Sequence, residues 1–291
     1  MEFREVASGY TFLEGPRTQG DSVWFTDLLA GGVFRLNADG STDSFLPGKH
    51  HIGGICLNHD GRIILGGNDA HYWLDPETGE HGVVLGEVNG ARHPGSNDML
   101  PDGKGGLYWG TTSNGGEYGD GREPELTRLM HLDTAGKVRV VSEGLSFANG
   151  VGISPDGKTL YHDESLRGCF AYDIAADGSL SGRRMFAPQE DCDGLAVDAE
   201  GGVWIACCFT SQVVRYLPDG TLDRSVPIPD RNVTSICFGG PDWSDVYVTT
   251  GGHDGIEVMM EGKMPGPDGR LFHARSDIPG LPVAETRFKT S

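Results

Sequence analysis

Six related segments recur along the chain, and a repeat of this length restricts the fold more than any other feature. Each begins with a polar residue or glycine, turns around Asp-Gly or a substitute, and ends in a β-rich triplet. They run from Glu14 to Asp27, Gly53 to Gly67, Ser96 to Thr112, Ala148 to Ser165, Cys192 to Cys208 and Val233 to Gly252. The central triplet residues, Trp24, Ile64, Tyr108, Tyr161, Trp204 and Tyr247, lie 40, 44, 53, 43 and 43 positions apart. Every segment reads as two short strands joined by a hairpin, with Asp-Gly favoured there because the turn needs positive φ. Second hairpins lie between them, as at Val33 to Phe45, Cys169 to Phe186 and Val213 to Val226. Two hairpins make one four-stranded antiparallel blade. The chain is therefore expected to be all-β, a six-bladed β-propeller occupying residues 1–291 as one domain.

Composition agrees. Glycine at 46 residues and proline at 16 imply frequent turns and short elements. A helical solenoid is excluded, since no helical apolar period runs unbroken by glycine or proline. The longest interval holds a glycine-rich, charged insertion, Ser113 to Glu125, expected as a surface loop. Either Arg4 to Ala7 or Leu271 to Ala274 is expected to close the last blade.

Charge and targeting signals narrow the partners. With 23 basic against 42 acidic residues the formal charge is −19, which repels phosphate backbones and anionic lipid. Nucleic acid and membrane are thus not expected as partners. Neither a basic, apolar leader nor a run of about 20 apolar residues is present, so the expected location is the cytoplasm. The chain is expected to act as a monomer or small homo-oligomer. Its six cysteines form no CxxC pair and sit mostly in apolar runs, so they read as buried free thiols rather than a zinc site.

The innermost strand of each blade lines the channel of a propeller, so equivalent repeat positions form a ring. Its members are Glu14, Gly53 or Gly54, Asn97 with Asp98, Asn149, Asp193, and Thr234 with Ser235. Structural positions should be alike in every copy, whereas these change identity while staying polar or small. Glu14, Asn149 and Asp193 supply two carboxylates and an amide carbonyl, an oxygen set suited to one hard divalent cation. Each motif alone also fits an ordinary turn; the set at one repeat position argues for a site.

At these residues the sequence resembles the SMP-30/gluconolactonase/luciferin-regenerating family over essentially the whole chain. The carriers are Leu13-Glu14-Gly15-Pro16, Ser96-Asn97-Asp98, Asp102-Gly103, Gly110-Thr111, Asn149-Gly150-Val151-Gly152, Ser154 to Lys158, Asp193-Gly194-Leu195 with Asp198, and Thr234 to Gly240. The resemblance implies Glu14, Asn149 and Asp193 as metal ligands, Asn97 as a metal-near residue touching substrate, and Asp193 also as the catalytic carboxylate. It leaves the ion open among calcium, zinc, manganese and iron; calcium is our expectation, with magnesium a further alternative. One position departs. Sugar-lactone hydrolases of the family often carry arginine where this chain has Gly95, and Arg92 with His93 is the nearest substitute. No acidic partner stands out at Ser113 to Gly116 either, which favours a less hydroxylated lactone.

The expected activity is hydrolysis of a lactone to a hydroxy acid, with the metal polarising the carbonyl and Asp193, or alternatively Glu14, activating water. The substrate-binding candidates are Asn97, Asp98, Arg92 and His93. A phosphotriesterase-like or other ester hydrolase on the same site, and a non-enzymatic metal-binding propeller, are the competing readings. A serine hydrolase is disfavoured because no GxSxG elbow occurs. His50, His51, His93 and His253 fall in loops that can face the channel mouth, whereas His162 and Asp163 read as packing or rim groups. Trp24, Trp204 and Tyr108 are expected in the core between blades.

Overall fold

The computed structural model describes residues 1–113 and 121–290. Six four-stranded antiparallel sheets follow one another along the chain. Their innermost strands are Leu13–Gln19, Gly54–Leu57, Met99–Pro101, Ala148–Ile153, Leu195–Val197 and Val233–Gly239. Each touches the next in cyclic order and the sixth touches the first, closing a six-bladed propeller around a channel. Both termini close it. Arg4–Tyr10 forms the outermost strand of the sixth blade, paired to Gly269–Arg275, which in turn pairs with Asp245–Thr250. The expected choice between the two ends was thus no choice, because a blade completed from both ends fastens the ring non-covalently.

The Asp-Gly turns differ from the expected geometry in one respect. In Asn58 to Arg62 only the glycine has positive φ, +87° at Gly61, and its N–H bonds back to the Asn58 carbonyl at 3.0 Å. The aspartate works through its side chain instead: Asp60 Oδ1 accepts the Arg62 N–H, as Asp156 accepts that of Lys158 and Asp102 that of Lys104.

Core packing lies between blades. Trp24 and Trp204 are fully buried and Tyr108 nearly so, as their strand positions foretold. All six cysteines are buried free thiols. The tail after Gly269–Arg275 runs beneath the turn end of the channel, where Leu281 N–H bonds the Val197 carbonyl, Arg287 N–H that of Gly105, and Thr286 pairs with Asn58. Its Phe288 packs into the core of blades 2 and 3. Residues 114–120, which hold most of the expected surface insertion and part of the Ser113 to Gly116 stretch, lie outside the described residues. Among the described residues no helix is long and apolar enough to cross a membrane.

Candidate active site

The ring positions all sit where the inner strands begin, at the end of the channel opposite the Asp-Gly turns. Glu14 and Asn149 are second residues of their strands, and Asn97 and Asp193 lie two residues before theirs. Local geometry aims them. The pairing register slips between Glu14 and Arg17 and again between Ala148 and Val151, and such bulges redirect side chains out of the pleat. Glycine makes the closeness of neighbouring blades tolerable: a Cβ on Gly150 would meet Leu195 N at 2.5 Å and Asp193 O at 2.7 Å. Main-chain bonds then link the blades, with Gly150 N–H donating to the Asp193 carbonyl at 2.9 Å and Gly194 N–H to that of Thr234 at 2.8 Å. Thr234 Oγ1 continues the ring to the Leu13 carbonyl at 2.6 Å.

A polar chain fixes the amides. Ser165 Oγ donates to the Cys192 carbonyl at 2.6 Å and accepts from Asn149 Nδ2 at 2.7 Å. With one NH2 hydrogen donated to Ser165, Asn149 presents Oδ1 toward Asn97, whose Nδ2 donates to it and to the Ala148 carbonyl. An amide oxygen has a second lone pair, so Asn149 Oδ1 retains one acceptor site.

The carboxylates are held otherwise. Glu14 and Asp193 are both buried. Glu14 accepts only a long 3.4 Å contact from the Gly15 N–H among the described residues, and Asp193 is partnered by the Cys208 thiol. Burial first, then the charges of Asp193 and Asp98, holds Glu14 well above the usual carboxylate range. Burial, then the charge of Asp98, does the same to Asp193. Burial also pushes Asp98 up to about 6, opposed by the Arg17 guanidinium. Arg17 lies across two neighbouring blades, donating to the carbonyls of Ile55 at 3.1 Å and Met99 at 3.3 Å.

Among the described residues there is no cluster of three or more His, Cys, Asp or Glu side chains arranged to hold a metal. The ring offers two carboxylates and an amide oxygen instead, and their chemistry fits a hard cation. Buried carboxylates that repel one another and lack a protein cation are stabilised by a divalent ion, which their oxygens accept without thiolate or imidazole.

Other expected site residues are placed elsewhere. Arg92 is exposed in a two-residue strand pairing with Glu87–Val88. His93 is buried between blades 2 and 3, its ring stacked 6.0 Å from that of Trp109 and edge-on to His71 at 4.7 Å. Among the described residues no hydrogen bond joins either side chain to Glu14, Asn149 or Asp193. His50 Nδ1 lies 2.6 Å from the Leu29 carbonyl, His51 adopts φ +58°, and His253 is exposed beside Asp254. His162 and Asp163, expected as packing or rim groups, are fully buried. Gly95 has φ +80°, and a Cβ there would sit 1.9 Å from Thr112 Oγ1, so this backbone has no room for arginine at that position. Ser165, Cys208 and Arg17 were not foreseen; for Ser165 and Cys208 the residues just after the second strands, which repeat in register with the inner ones, were the available signal, and Arg17 on an inner strand had none.

A family model described as SMP-30/Gluconolactonase/LRE-like region matches residues 12–252. A pentonolactonase of Haloferax volcanii is 29% identical over 289 residues, covering 92% of each chain. A 6-deoxy-6-sulfogluconolactonase of Pseudomonas putida is 27% identical, covering 89% of this chain and 88% of its own. Among solved structures, a regucalcin of Agrobacterium tumefaciens described as calcium-binding superposes with a TM-score of 0.79 at 22% identity, covering 99% of this chain and 97% of that one.

Proposed function

The chain belongs to the SMP-30/Gluconolactonase/LRE-like family, and from that premise we propose that it is a metal-dependent hydrolase that opens a lactone to a hydroxy acid. One observation carries the reading: two buried carboxylates, Glu14 and Asp193, converge at the channel end with no basic partner among the described residues. Relatives matched over about nine-tenths of both chains are lactonases by name, which supports the choice of reaction.

Glu14, Asn149 and Asp193 would hold one divalent ion, calcium being the best match to an all-oxygen set, with zinc, manganese, magnesium or iron as alternatives. When bound, the ion supplies polarisation of the ester carbonyl and a lowered pKa for nearby water. The residues supply the rest. Asp193 takes a proton from water as the water oxygen bonds to the carbonyl carbon. The ring C–O bond then breaks and the proton passes from Asp193 to the departing alkoxide, giving a carboxyl and a hydroxyl in one product. Asn97, whose Nδ2 already donates to Asn149 Oδ1, fixes the ligand amide and stands next to the substrate. Asp98 lies behind this group with Arg17, which offsets part of its charge.

Elemental analysis of the purified protein, followed by chelation and re-addition of single ions, tests the site. The expected result is about one ion per chain, lactone hydrolysis lost on chelation, and recovery with calcium or another divalent ion. Absence of turnover on butyrolactone and aldonolactones with every one of these ions would falsify the reading, and hydrolysis of an organophosphate alone would replace it with a phosphotriesterase-like activity.

A further inference from the structure

Two large apolar side chains stand in water immediately beside the residues that hold Asn149 and Asp193. Leu166 is 66% exposed and Phe209 56% exposed. Leu166 directly follows Ser165, which accepts the Asn149 amide, and Phe209 directly follows Cys208, the partner of Asp193. Neither is a loose loop residue. Leu166 N–H donates to the Glu190 carbonyl at 2.9 Å, and Phe209 N–H to Asp191 Oδ1 at 2.6 Å. Glu190 and Asp191 are neighbours in the connector between blades 4 and 5, so one segment anchors the backbone of both residues at the same end of the channel. Leu166 also adopts φ +70°, a left-handed backbone that a branched-chain residue such as leucine enters at a cost. That backbone belongs to the turn in which the Arg167 N–H bonds the Glu164 carbonyl at 3.0 Å, so the hairpin accounts for the φ and leaves the exposed leucine side chain without a packing role.

The opposite side of the mouth is different in kind. Leu28 and Leu29 of blade 1 are buried, and blade 2 presents Lys49 bonded to Tyr72, which in turn donates to Asp69. Leu166 and Phe209 are thus exposed apolar side chains set among the exposed Arg167, Glu190 and Thr210 over blades 4 and 5, whereas the connector into blade 2 offers the Lys49–Tyr72–Asp69 chain.

We propose that the substrate carries an apolar substituent on its lactone ring and that Leu166 and Phe209 bind it, making them the residues that determine specificity. The proposal rests on the hydrolase reading of the axial site and names its substrate class: alkyl-substituted lactones rather than polyhydroxylated ones. A ring ester held at Asp193 would leave its substituent toward the mouth, where Leu166 and Phe209 follow directly on the residues that hold Asn149 and Asp193.

The test compares kcat/KM for butyrolactone, γ-valerolactone, γ-nonalactone and glucono-δ-lactone with the full-length enzyme and its activating ion. Each methylene that leaves water is worth roughly a fourfold gain at most, so γ-nonalactone should exceed butyrolactone by about tenfold or more. Leu166→Ser with Phe209→Ser should lower that ratio by about tenfold, while Phe209→Leu retains most of it. Leu166→Gly should lower the ratio and raise Tm together, because glycine relieves the left-handed backbone. Turnover without dependence on chain length, preference for glucono-δ-lactone, or a serine double variant with the wild-type ratio overturns this proposal alone. No turnover of any lactone overturns the hydrolase reading and this proposal with it.

Discussion

Asp193 and Asp198 lie five residues apart on blade 5, at opposite ends of one inner strand, and both are buried. Asp198 is wholly enclosed yet fully satisfied. It accepts the Glu200 N–H at 3.0 Å, the Gly202 N–H at 2.8 Å, Trp204 Nε1–H at 2.8 Å and Arg215 Nε–H at 2.7 Å. Arg215 in turn pairs with Glu200 and Asp223. Asp193 has a thiol for a partner and like charges for neighbours. A sequence able to surround one aspartate with four donors leaves the other short of them, although burying an unpaired carboxylate costs several kcal/mol. Packing explains the first aspartate. The divalent ion proposed for the ring would account for the second.

Removing each should therefore have opposite consequences. Asp193→Ala is expected to lower kcat/KM on a lactone by about a thousandfold or more, since a ligand and the general base go together, while Tm stays level or rises. Steady-state kinetics at saturating divalent ion and a thermal melt of the ion-free protein measure both. Asp198→Ala is expected to cost about 3–5 kcal/mol, because it removes the buried acceptor of Arg215 Nε–H, Trp204 Nε1–H and two main-chain N–H groups, and to leave the turnover of the molecules still folded near its original value. Urea unfolding with activity corrected for the folded fraction checks this. The contrast breaks if Asp193→Ala unfolds the protein or if Asp198→Ala inactivates it without loss of stability.

Asp163 is the intermediate case. It lies in the second strand of blade 4, opposite Cys169, with neither carboxyl oxygen hydrogen-bonded in a geometry of ordinary length. Burial holds its carboxyl well above the usual carboxylate range. Its replacement by leucine should stabilise the fold by about 1–3 kcal/mol, as an under-partnered buried polar group is exchanged for an apolar one of similar size. Chemical denaturation reads this directly. A variant that instead loses activity at unchanged stability would move Asp163 into the company of Asp193 and narrow the difference between the two ends of the blade.

The repeat made the ring legible. Glu14, Asn149 and Asp193 stood out as candidates because a propeller copies one backbone position six times, so a residue that departs from its equivalents is visible in the sequence. Residues whose partners lie across blades left no such mark. Ser165 holds Asn149 from another strand and ties it to Cys192, and Arg17 reaches Ile55 and Met99 on two further blades. His93 looked like a loop histidine. The hairpin at Asn89-Gly90, both with positive φ, leads the chain on to where the His93 ring slots against Trp109. The tail from Ser276 onward has no strand period to read, since it is fixed by single backbone bonds to one blade after another.

The smallest expected effect concerns two buried histidines, His162 and His93. Burial pushes His162 down to about 3 and His93 down to about 4. Both folded values lie below the roughly 6.5 of an unfolded histidine. Above that pH neither state is charged and these groups contribute no pH dependence. Between about 6.5 and 4 the unfolded chain binds protons that the folded chain refuses, so stability falls as pH falls, by at most about 1.4 kcal/mol per pH unit for each histidine. His162 has no hydrogen-bond partner at either ring nitrogen among the described residues, which makes His162→Leu a clean probe. Unfolding free energies measured at pH 7 and pH 5.5 should differ by about 1 kcal/mol less in the variant than in the wild type. An unchanged difference would mean that His162 takes up its proton in the folded state, and that the interior of blade 4 tolerates a charge as readily as the Asp198–Arg215 pair does.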